Sequence, residues 1–366
     1  MVGTCAEAGV DIYVDAVLNH MTGTGSAGSG VGSAGSGFEK YHYPGIYQDA
    51  DFGECRETIE NWDDPGEVRN CELLDLADLA TGQEYVRATL TGYLNDLTDL
   101  GVAGFRVDAA KHMPPEDVAA VMSGVQGDVH VFQEVIEDEA ISPAEYTHIG
   151  DVTDFAYSRR LSGAVSAGDL SGLAGLGGSD ALRGDQATVF VDNHDTQREN
   201  PVLTYKDGAA YDVASAFMLA HPYGSPKVMS SFDFGAGDFD AGPPAEQDGT
   251  TAAVECDDEA WVCEHRDQAI AGMVGFRSAT HGAGITDWWD NGGGQAAFGR
   301  GGSGFAVFNR EDAELAGTFR TSLPAGTYCD VTAGGCEETY EVGGDGTFTA
   351  TVPTDGVLAL HVEATP

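Results

Sequence analysis

Four short apolar segments of this chain each run directly into polar and charged residues. In GFRVDAAKH, residues 104–112, Arg106 and Asp108 stand two apart, so on a strand both side chains point to one face. Charged groups at the end of a buried strand cost free energy unless they pair or bind something. An ion pair that caps a core strand would explain one such cluster. Three further segments end in the same way, after Val17, Phe132 and Val191.

These strand-like segments alternate with segments of helical periodicity, which predicts a parallel sheet. In a (β/α)8 TIM barrel the carboxyl ends of the strands meet at one rim, where active sites lie. Asp108, Glu134 and Asp195 would then converge, and converging carboxylates are what a glycosidase needs. Strands are predicted at 10–17, 104–107, 129–135, 151–157, 187–191 and 227–234, and helices at 81–100, 114–123, 211–221 and 265–279.

Two stretches interrupt or follow this alternation. Residues 22–37 are rich in Gly and Ser and predict a solvated flexible loop, and residues 38–70 predict an irregular inserted lobe. After residue 284 only short alternating strands with Gly turns remain, which predicts a separate all-β domain. The predicted division is barrel 1–20, inserted lobe 21–79, barrel 80–284 and antiparallel β domain 285–366.

The charge balance excludes one class of function. The chain has 60 acidic and 17 basic residues, a net charge of −43, whereas non-specific nucleic-acid binding needs clustered Lys and Arg. Spread carboxylates of this density are typical of a solvated surface and favour a salt-tolerant source. No apolar run reaches the roughly 18 residues of a membrane span.

Six of the seven cysteines form close pairs in the sequence: Cys55 with Cys71, Cys256 with Cys263, and Cys329 with Cys336. Because no CxxC or nearby His gives zinc spacing, the pairs predict disulfides and an oxidising compartment. A Cys55–Cys71 bridge would contribute about 3 kcal/mol in the chain-entropy model. Cys5 is left without a partner.

Four motifs in order resemble the signature regions of the α-amylase family, glycoside hydrolase family thirteen. They are DAVLNH at 15–20, GFRVDAAKH at 104–112, FQEV at 132–135 and FVDNHD at 190–195. VRNCELLDLADL, HPYGSPKVMSS and the cysteine pairs resemble its secreted, chloride-dependent animal-type branch, which has actinobacterial members. The resemblance implies a secreted monomer that hydrolyses internal α-1,4 bonds of starch or glycogen with retention.

The resemblance also implies the role of each motif residue. Asp108 would be the nucleophile and Glu134 the general acid and then base, with its pKa raised. Asp195 would hold the substrate hydroxyls and stabilise the transition state. Retention requires the Asp108 and Glu134 carboxyls to lie roughly 5–5.5 Å apart. The substrate-binding residues would be His20, Arg106, Lys111, His112 and His194.

Two ion sites are implied by the same resemblance. Calcium would be bound by Asn19, the Arg69 carbonyl, Asp78 and the His112 carbonyl, all oxygen donors, and would tie the inserted lobe to the barrel. Chloride would be bound by Arg106, Asn193 and Lys227. The three cysteine pairs match disulfides of the family.

The start of the chain departs from the family pattern. Residue 10 begins what resembles the third barrel strand, so we expect two preceding βα units and the partner of Cys5 to be missing. Met1 would then be an internal methionine. Since such a barrel exposes unpaired strand edges, we expect the chain alone to be poorly soluble or weakly active.

Three alternative functions remain open. A transglycosylase or maltose-forming relative would carry the same motifs, and only product analysis separates it from an endo-hydrolase. A non-catalytic glucan-binding barrel is disfavoured because Asp108, Glu134 and Asp195 are all present. An inactive gene fragment is the third alternative.

Overall fold

The computed structural model describes residues 1–24, 28–178, 182–235, 241–256 and 260–366. Contacts divide the chain into two compact units, Met1–Asp154 with Gln186–Thr188, and Phe155–Asp185 with Val189–Pro366. No helix in the described part combines the length and apolar character that crossing a bilayer requires.

The first unit is built on parallel strands. Its strands are β1 (Tyr13–Val17), β2 (His20–Gly23), β3 (Ser29–Val31), β4 (Gly37–Glu39), β5 (Leu76–Asp78), β6 (Gly104–Asp108), β7 (His130–Gln133), β8 (Asp151–Thr153) and the start of β9 (Ala187–Phe190). Its helices are α1 (Val2–Glu7), α2 (Pro65–Val68), α3 (Glu84–Asp99) and α4 (Pro115–Met122). The pairs β1–β6, β6–β7, β7–β8 and β8–β9 are all parallel.

In its described residues the second unit holds the rest of β9, three α-helices, β10 and the β domain. The helices are α5 (Phe155–Ala167), α6 (Ala209–Ala220) and α7 (Gln268–Ala279). The strands are β10 (Ser225–Lys227), β11 (Ile285–Asp290), β12 (Gln295–Arg300), β13 (Gly304–Asn309), β14 (Leu315–Arg320), β15 (Gly326–Cys329), β16 (Thr339–Val342), β17 (Thr347–Val352) and β18 (Gly356–His361).

The strand order confirms the predicted fold class. One sheet has the order β1-β6-β7-β8-β9-β10, and α3, α4, α5 and α6 each lie in sequence between two successive strands of it, as in a (β/α) barrel. A separate sheet has the order β11-β12-β13-β18, and its pairs are antiparallel. In the β domain, Phe305, Phe319 and Phe348 pack together at the centre of an apolar core.

Three local predictions were wrong. The stretch 151–157 is a strand only to Thr153, because Ser158, Leu161, Ser162 and Val165 form the buried face of α5 at helical spacing. The predicted strand 227–234 ends at Lys227, and Phe232 bridges Trp261 instead. The predicted loop 22–37 contains the end of β2 and the β3–β4 hairpin, although its residues 25–27 lie outside the described part.

All three predicted disulfides are formed. Cys55 bonds to Cys71, Cys256 to Cys263 and Cys329 to Cys336, each within one unit. Cys5 is a free thiol.

A buried arginine joins the β domain to the helices of its own unit. The Arg300 side chain is 2% exposed, and it donates to the carbonyl oxygens of Ala220 at 2.6 Å, Thr280 at 3.1 Å and Ala283 at 2.8 Å. Two of these carbonyls lie at the carboxyl ends of α6 and α7, where helix carbonyls lack partners and favour a cation.

We predict that Arg300→Met lowers the free energy of unfolding by about 3 kcal/mol, because two buried carbonyls and one partly buried carbonyl lose their donors at roughly 1 kcal/mol each. Urea denaturation measures the change. Arg183→Met is the control, because Arg183 is exposed and its ion-pair partner Asp185 is exposed as well. An Arg300→Met protein as stable as the control would show that these contacts contribute nothing.

Candidate active site

One guanidinium in the first unit contacts three carboxylates. Arg106 Nη1 donates to Asp15 at 2.7 Å and to Asp108 at 2.7 Å, and Nη2 lies 2.7 Å from Glu134. The register of the strands explains the grouping: Asp15 on β1 is opposite Arg106 on β6, and Glu134 follows β7, its N–H bound to Val107. The structure therefore brings Arg106, Asp108 and Glu134 together.

Electrostatics keep Arg106 charged. Burial of the guanidinium lowers its pKa, but the carboxylates of Glu134, Asp15 and Asp108 outweigh that effect and raise it above the ordinary value. The guanidinium therefore lies as a cation between Asp108 and Glu134 and contacts both side chains.

The peptide after Asp108 also holds Glu134. Ala109 has φ of 48°, an unusual conformation for a residue with a side chain, and its N–H donates to Glu134 Oε2 at 2.9 Å. Strained backbone persists where the surrounding structure requires it, often at functional sites. Glu134 is thus held from two directions beside Asp108.

Lys111 and His112 follow in a short turn and are both buried. Lys111 pairs with Asp138, and its ammonium lies over the Trp62 ring at 5.6 Å. His112 Nδ1 contacts the Val68 carbonyl at 3.0 Å, and because a carbonyl only accepts, this nitrogen carries the proton. Burial lowers the pKa of His112 to about 4, so the ring is neutral near pH 7.

Trp62 was missed in the sequence. Its ring is 42% exposed and meets His112 edge-on at 5.9 Å. An exposed aromatic ring beside polar groups is a typical surface for binding a sugar face. A lone Trp in an irregular lobe gave no periodicity that could have identified it.

Two of the predicted calcium ligands, Asn19 and Asp78, lie close together, and one of them has an unsatisfied oxygen. Asn19 Oδ1 is buried and has no hydrogen-bond partner in the described part, and the Asn19 carbonyl accepts from Leu79, next to Asp78. The Asp78 carboxyl is 6% exposed, and burial together with Glu72 raises its pKa to about 8. A buried amide oxygen without a donor beside a buried carboxyl group fits a hard cation.

Space for an ion is present beside Asp78. A cavity of about 430 Å³ is lined by Asp78, Arg69 and Gly53, and a Cβ at Gly53 would lie 2.7 Å from Asp78 Oδ2. The Arg69 guanidinium pairs with Glu145 at 2.8 Å. Because a guanidinium is a cation without an acceptor atom, only the Arg69 carbonyl is a candidate ligand. Among the described residues, no three His, Cys, Asp or Glu side chains cluster as a metal site. The predicted calcium site would not form such a cluster, because its ligands are one carboxylate, one amide oxygen and two carbonyl oxygens.

His20 precedes this region and is mostly buried. Burial lowers its pKa, while the Asp108 charge opposes that change. Its Nδ1 lies 3.3 Å from the side-chain nitrogen of Asn19, a predicted calcium ligand. His20 therefore lies between the predicted calcium site and the charge of Asp108.

The remaining predicted residues belong to the second unit. Asn193 Oδ1 accepts from the N–H groups of Asp195 at 3.1 Å and Thr196 at 2.8 Å, which fixes a tight turn after β9. His194 Nε2 lies 3.3 Å from the Asp195 carboxylate, and both side chains are exposed. Lys227 is the half-buried last residue of β10.

A buried hydrogen-bond network adjoins the turn after β9. Asp192 accepts from Gln197 at 2.7 Å and Tyr211 at 2.8 Å, and Gln197 also donates to Ser231 at 2.6 Å. The Ser231 N–H donates to Glu264, so this backbone is not available for the predicted strand. Burial and the nearby Glu264 charge raise the pKa of Asp192 to about 7.

Comparison with known proteins agrees with this geometry. A family profile described as "Alpha amylase, C-terminal all-beta domain" matches residues 286–363. The chain is 54% identical over its full length to an α-amylase of Thermomonospora curvata and 46% identical to one of Streptomyces violaceus. It spans 62% and 63% of those two relatives' lengths.

Two further similarities cover more of the relative. An α-amylase of Tribolium castaneum is 44% identical over the whole chain, which spans 80% of that protein. The solved structure of a mutant of α-amylase I from Eisenia fetida in complex with maltohexaose is 38% identical, with a TM-score of 0.93, covering 99% of this chain and 83% of the other. The chain belongs to the α-amylase family of glycoside hydrolases.

Proposed function

We propose that the protein hydrolyses internal α-1,4-glucosidic bonds of starch-type polysaccharides with retention of configuration. The observation that carries the proposal is the contact of the Arg106 guanidinium with both Asp108 and Glu134. It supports a nucleophile and an acid at neighbouring strand ends, the arrangement of a retaining glycosidase. The maltohexaose bound by the Eisenia fetida relative supports the choice of an α-glucan.

In the proposed reaction an Asp108 oxygen attacks the anomeric carbon, and Glu134 protonates the departing glycosidic oxygen. A covalent glycosyl-enzyme forms. Glu134 then removes a proton from water, whose oxygen replaces Asp108 at the same carbon. Arg106 would hold the Asp108 side chain in place through its 2.7 Å contact, and Asp195 with His20 and His194 would hold sugar hydroxyls.

The leaving-group side would use Lys111, His112 and Trp62. The contact of the Lys111 ammonium with both Asp138 and the Trp62 ring supports a preformed wall, in which few side chains must be ordered on binding. The neutral His112 would present its free ring nitrogen as an acceptor for a hydroxyl group.

We also propose a structural calcium ion held by Asn19, the Arg69 carbonyl, Asp78 and the His112 carbonyl. The unpartnered Asn19 oxygen and the buried Asp78 carboxylate support it. When bound, the ion would neutralise Asp78 and join β2 and β5 of the inserted lobe to the turn after β6. A chloride ion at Arg106, Asn193 and Lys227 is proposed from the family resemblance, since two cations and an amide suit an anion.

We propose that the protein is secreted and monomeric. Three formed disulfides support an oxidising compartment. The net charge of −43 argues against nucleic acid and against anionic membrane surfaces as partners.

We predict that Glu134→Gln lowers the rate of reducing-sugar release from soluble starch by about 10²–10⁴-fold, because an amide cannot donate the proton. Glu116→Gln is the control, since Glu116 is exposed on α4. An unchanged rate in Glu134→Gln would overturn the assignment of the acid. Chromatography of the wild-type products then separates hydrolysis from glycosyl transfer, which would give oligosaccharides longer than the substrate.

We predict that calcium raises the melting temperature of the wild type and not that of Asp78→Asn. A ligand at about 100 times its dissociation constant stabilises the folded state by about 2.7 kcal/mol. Scanning calorimetry with calcium and with a chelator measures the shift, and the exposed Asp63→Asn is the control. The same calcium-dependent shift in Asp78→Asn and in the control would refute the site.

A further inference from the structure

The turn after β9 carries Asp195, whose side chain is exposed. Hydrogen bonds within the turn hold the backbone of this residue on both sides. The Asp195 N–H donates to Asn193 Oδ1 at 3.1 Å, and its carbonyl accepts from the Arg198 N–H at 2.8 Å. The Gln197 N–H donates to the Asn193 carbonyl at 3.0 Å. These bonds make the turn rigid within itself, but they do not fix its orientation on the rest of its unit.

The side chain of Gln197 provides that orientation. Gln197 is buried, and its amide nitrogen donates to Asp192 at 2.7 Å and to the Ser231 hydroxyl at 2.6 Å. Asp192 stands directly before the turn, whereas Ser231 lies in the segment that follows β10. The Gln197 amide therefore attaches the turn to a segment that is distant in the sequence.

The hydrogen bonds of Ser231 run in one direction, toward Glu264. A hydroxyl has a single proton, and because the Ser231 oxygen receives one from Gln197, its own proton goes to a Glu264 oxygen. The Ser231 N–H donates to the other oxygen of Glu264 at 2.6 Å. Both oxygens of one carboxylate thus bind one serine, and the chain of hydrogen bonds from the turn ends at Glu264.

The backbone at Glu264 is restrained. Glu264 directly follows Cys263, which is bonded to Cys256 and has φ of 54°, an unusual conformation for a residue with a side chain. It also begins the single 3-10 turn that precedes α7. The carboxylate therefore extends from a backbone that a disulfide and a helix hold in place.

The network has matched donors and acceptors. Asp192 accepts from Tyr211 and Gln197, and Glu264 accepts twice from Ser231. A buried carboxylate is costly unless its acceptors are used, and a satisfied buried network specifies one arrangement more sharply than apolar packing does. Two buried carboxylates in one network therefore indicate that the exact position of the turn matters.

We propose that Glu264 is a positioning residue for the reaction, which acts on Asp195 through Ser231 and Gln197. This inference rests on the proposed function, in which Asp195 holds sugar hydroxyls and stabilises the transition state. Small displacements of a group that must meet the substrate closely cost much of the rate. Glu264 is buried and would not contact the sugar itself.

Two substitutions break the chain of hydrogen bonds in different ways. Glu264→Gln keeps the shape of the side chain. In one orientation the new amide N–H faces the Ser231 N–H, and in the other it gives the Ser231 hydroxyl a second donor, so a buried proton loses its acceptor in both. Ser231→Ala removes the hydroxyl link and adds no donor, so it tests the same link if the first variant does not fold.

Hydrolysis of maltohexaose is measured for both variants, with Asp195 intact and with Asp195→Asn. We expect kcat/KM to fall about tenfold when Asp195 is intact and about twofold or less in Asp195→Asn, because substitutions that act through one group are not additive. Asp330→Asn is the matched control. Asp330 is a buried carboxyl of the β domain that accepts from the hydroxyl of Thr332 at 2.8 Å and from its N–H at 3.0 Å. Its replacement should lower the melting temperature and leave kcat/KM unchanged.

An equal loss of kcat/KM in both Asp195 backgrounds would overturn the proposal, because Glu264 would then act only on the stability of the fold. An unchanged kcat/KM in Glu264→Gln or Ser231→Ala with Asp195 intact would overturn it as well.

Calorimetric titration with maltohexaose separates this inference from the proposed reaction. In proteins that all carry Glu134→Gln, so that the sugar is not cut, Glu264→Gln should raise the dissociation constant about threefold, and Asp195→Asn should remove this effect. A wild type that does not hydrolyse maltohexaose, with this coupling retained, would refute the reaction and leave the positioning role standing. Hydrolysis without the coupling would refute the positioning role alone.

Discussion

The first unit depends on one positive charge. Asp15, Asp108 and Glu134 come from three neighbouring strands and would repel one another in a half-buried space without the Arg106 guanidinium. Parallel strands in register direct these side chains to the same place. The pairing of β1, β6 and β7 therefore brings the three carboxylates together, and the Arg106 charge must balance them. The chain has only 17 basic residues, and the position of Arg106 among these carboxylates is what balances their charge.

Part of this could be predicted from the sequence because it depends on local periodicity. The contact of Arg106 with Asp108 follows from their spacing on a strand, and α3 and α6 follow from apolar residues at helical spacing. The helix α5 was missed because Phe155 and Tyr157, two residues apart, imitate a strand. Its helical face becomes evident only from Ser158 onward.

Other features depend on contacts between distant segments and could not be predicted from local pattern. The predicted strand after Lys227 fails because Glu264 binds the Ser231 N–H and residues near 261 pair with that backbone. Asn19 and Asp78, taken singly, resemble ordinary surface polar residues. The unsatisfied Asn19 oxygen and its closeness to Asp78 become evident only when β2 and β5 pair, so the calcium proposal needed both the family resemblance and the fold.

The disulfides have a consequence for how the chain reaches its folded state. Each bridge joins cysteines 7 or 16 residues apart, whereas any wrong pairing must close a loop of about 50 residues or more. Closing the longer loop costs about 1–2 kcal/mol more in chain entropy, so the correct bridges form preferentially even in a disordered chain. Each correct bridge therefore depends on its own short segment of the chain and not on prior assembly of the barrel.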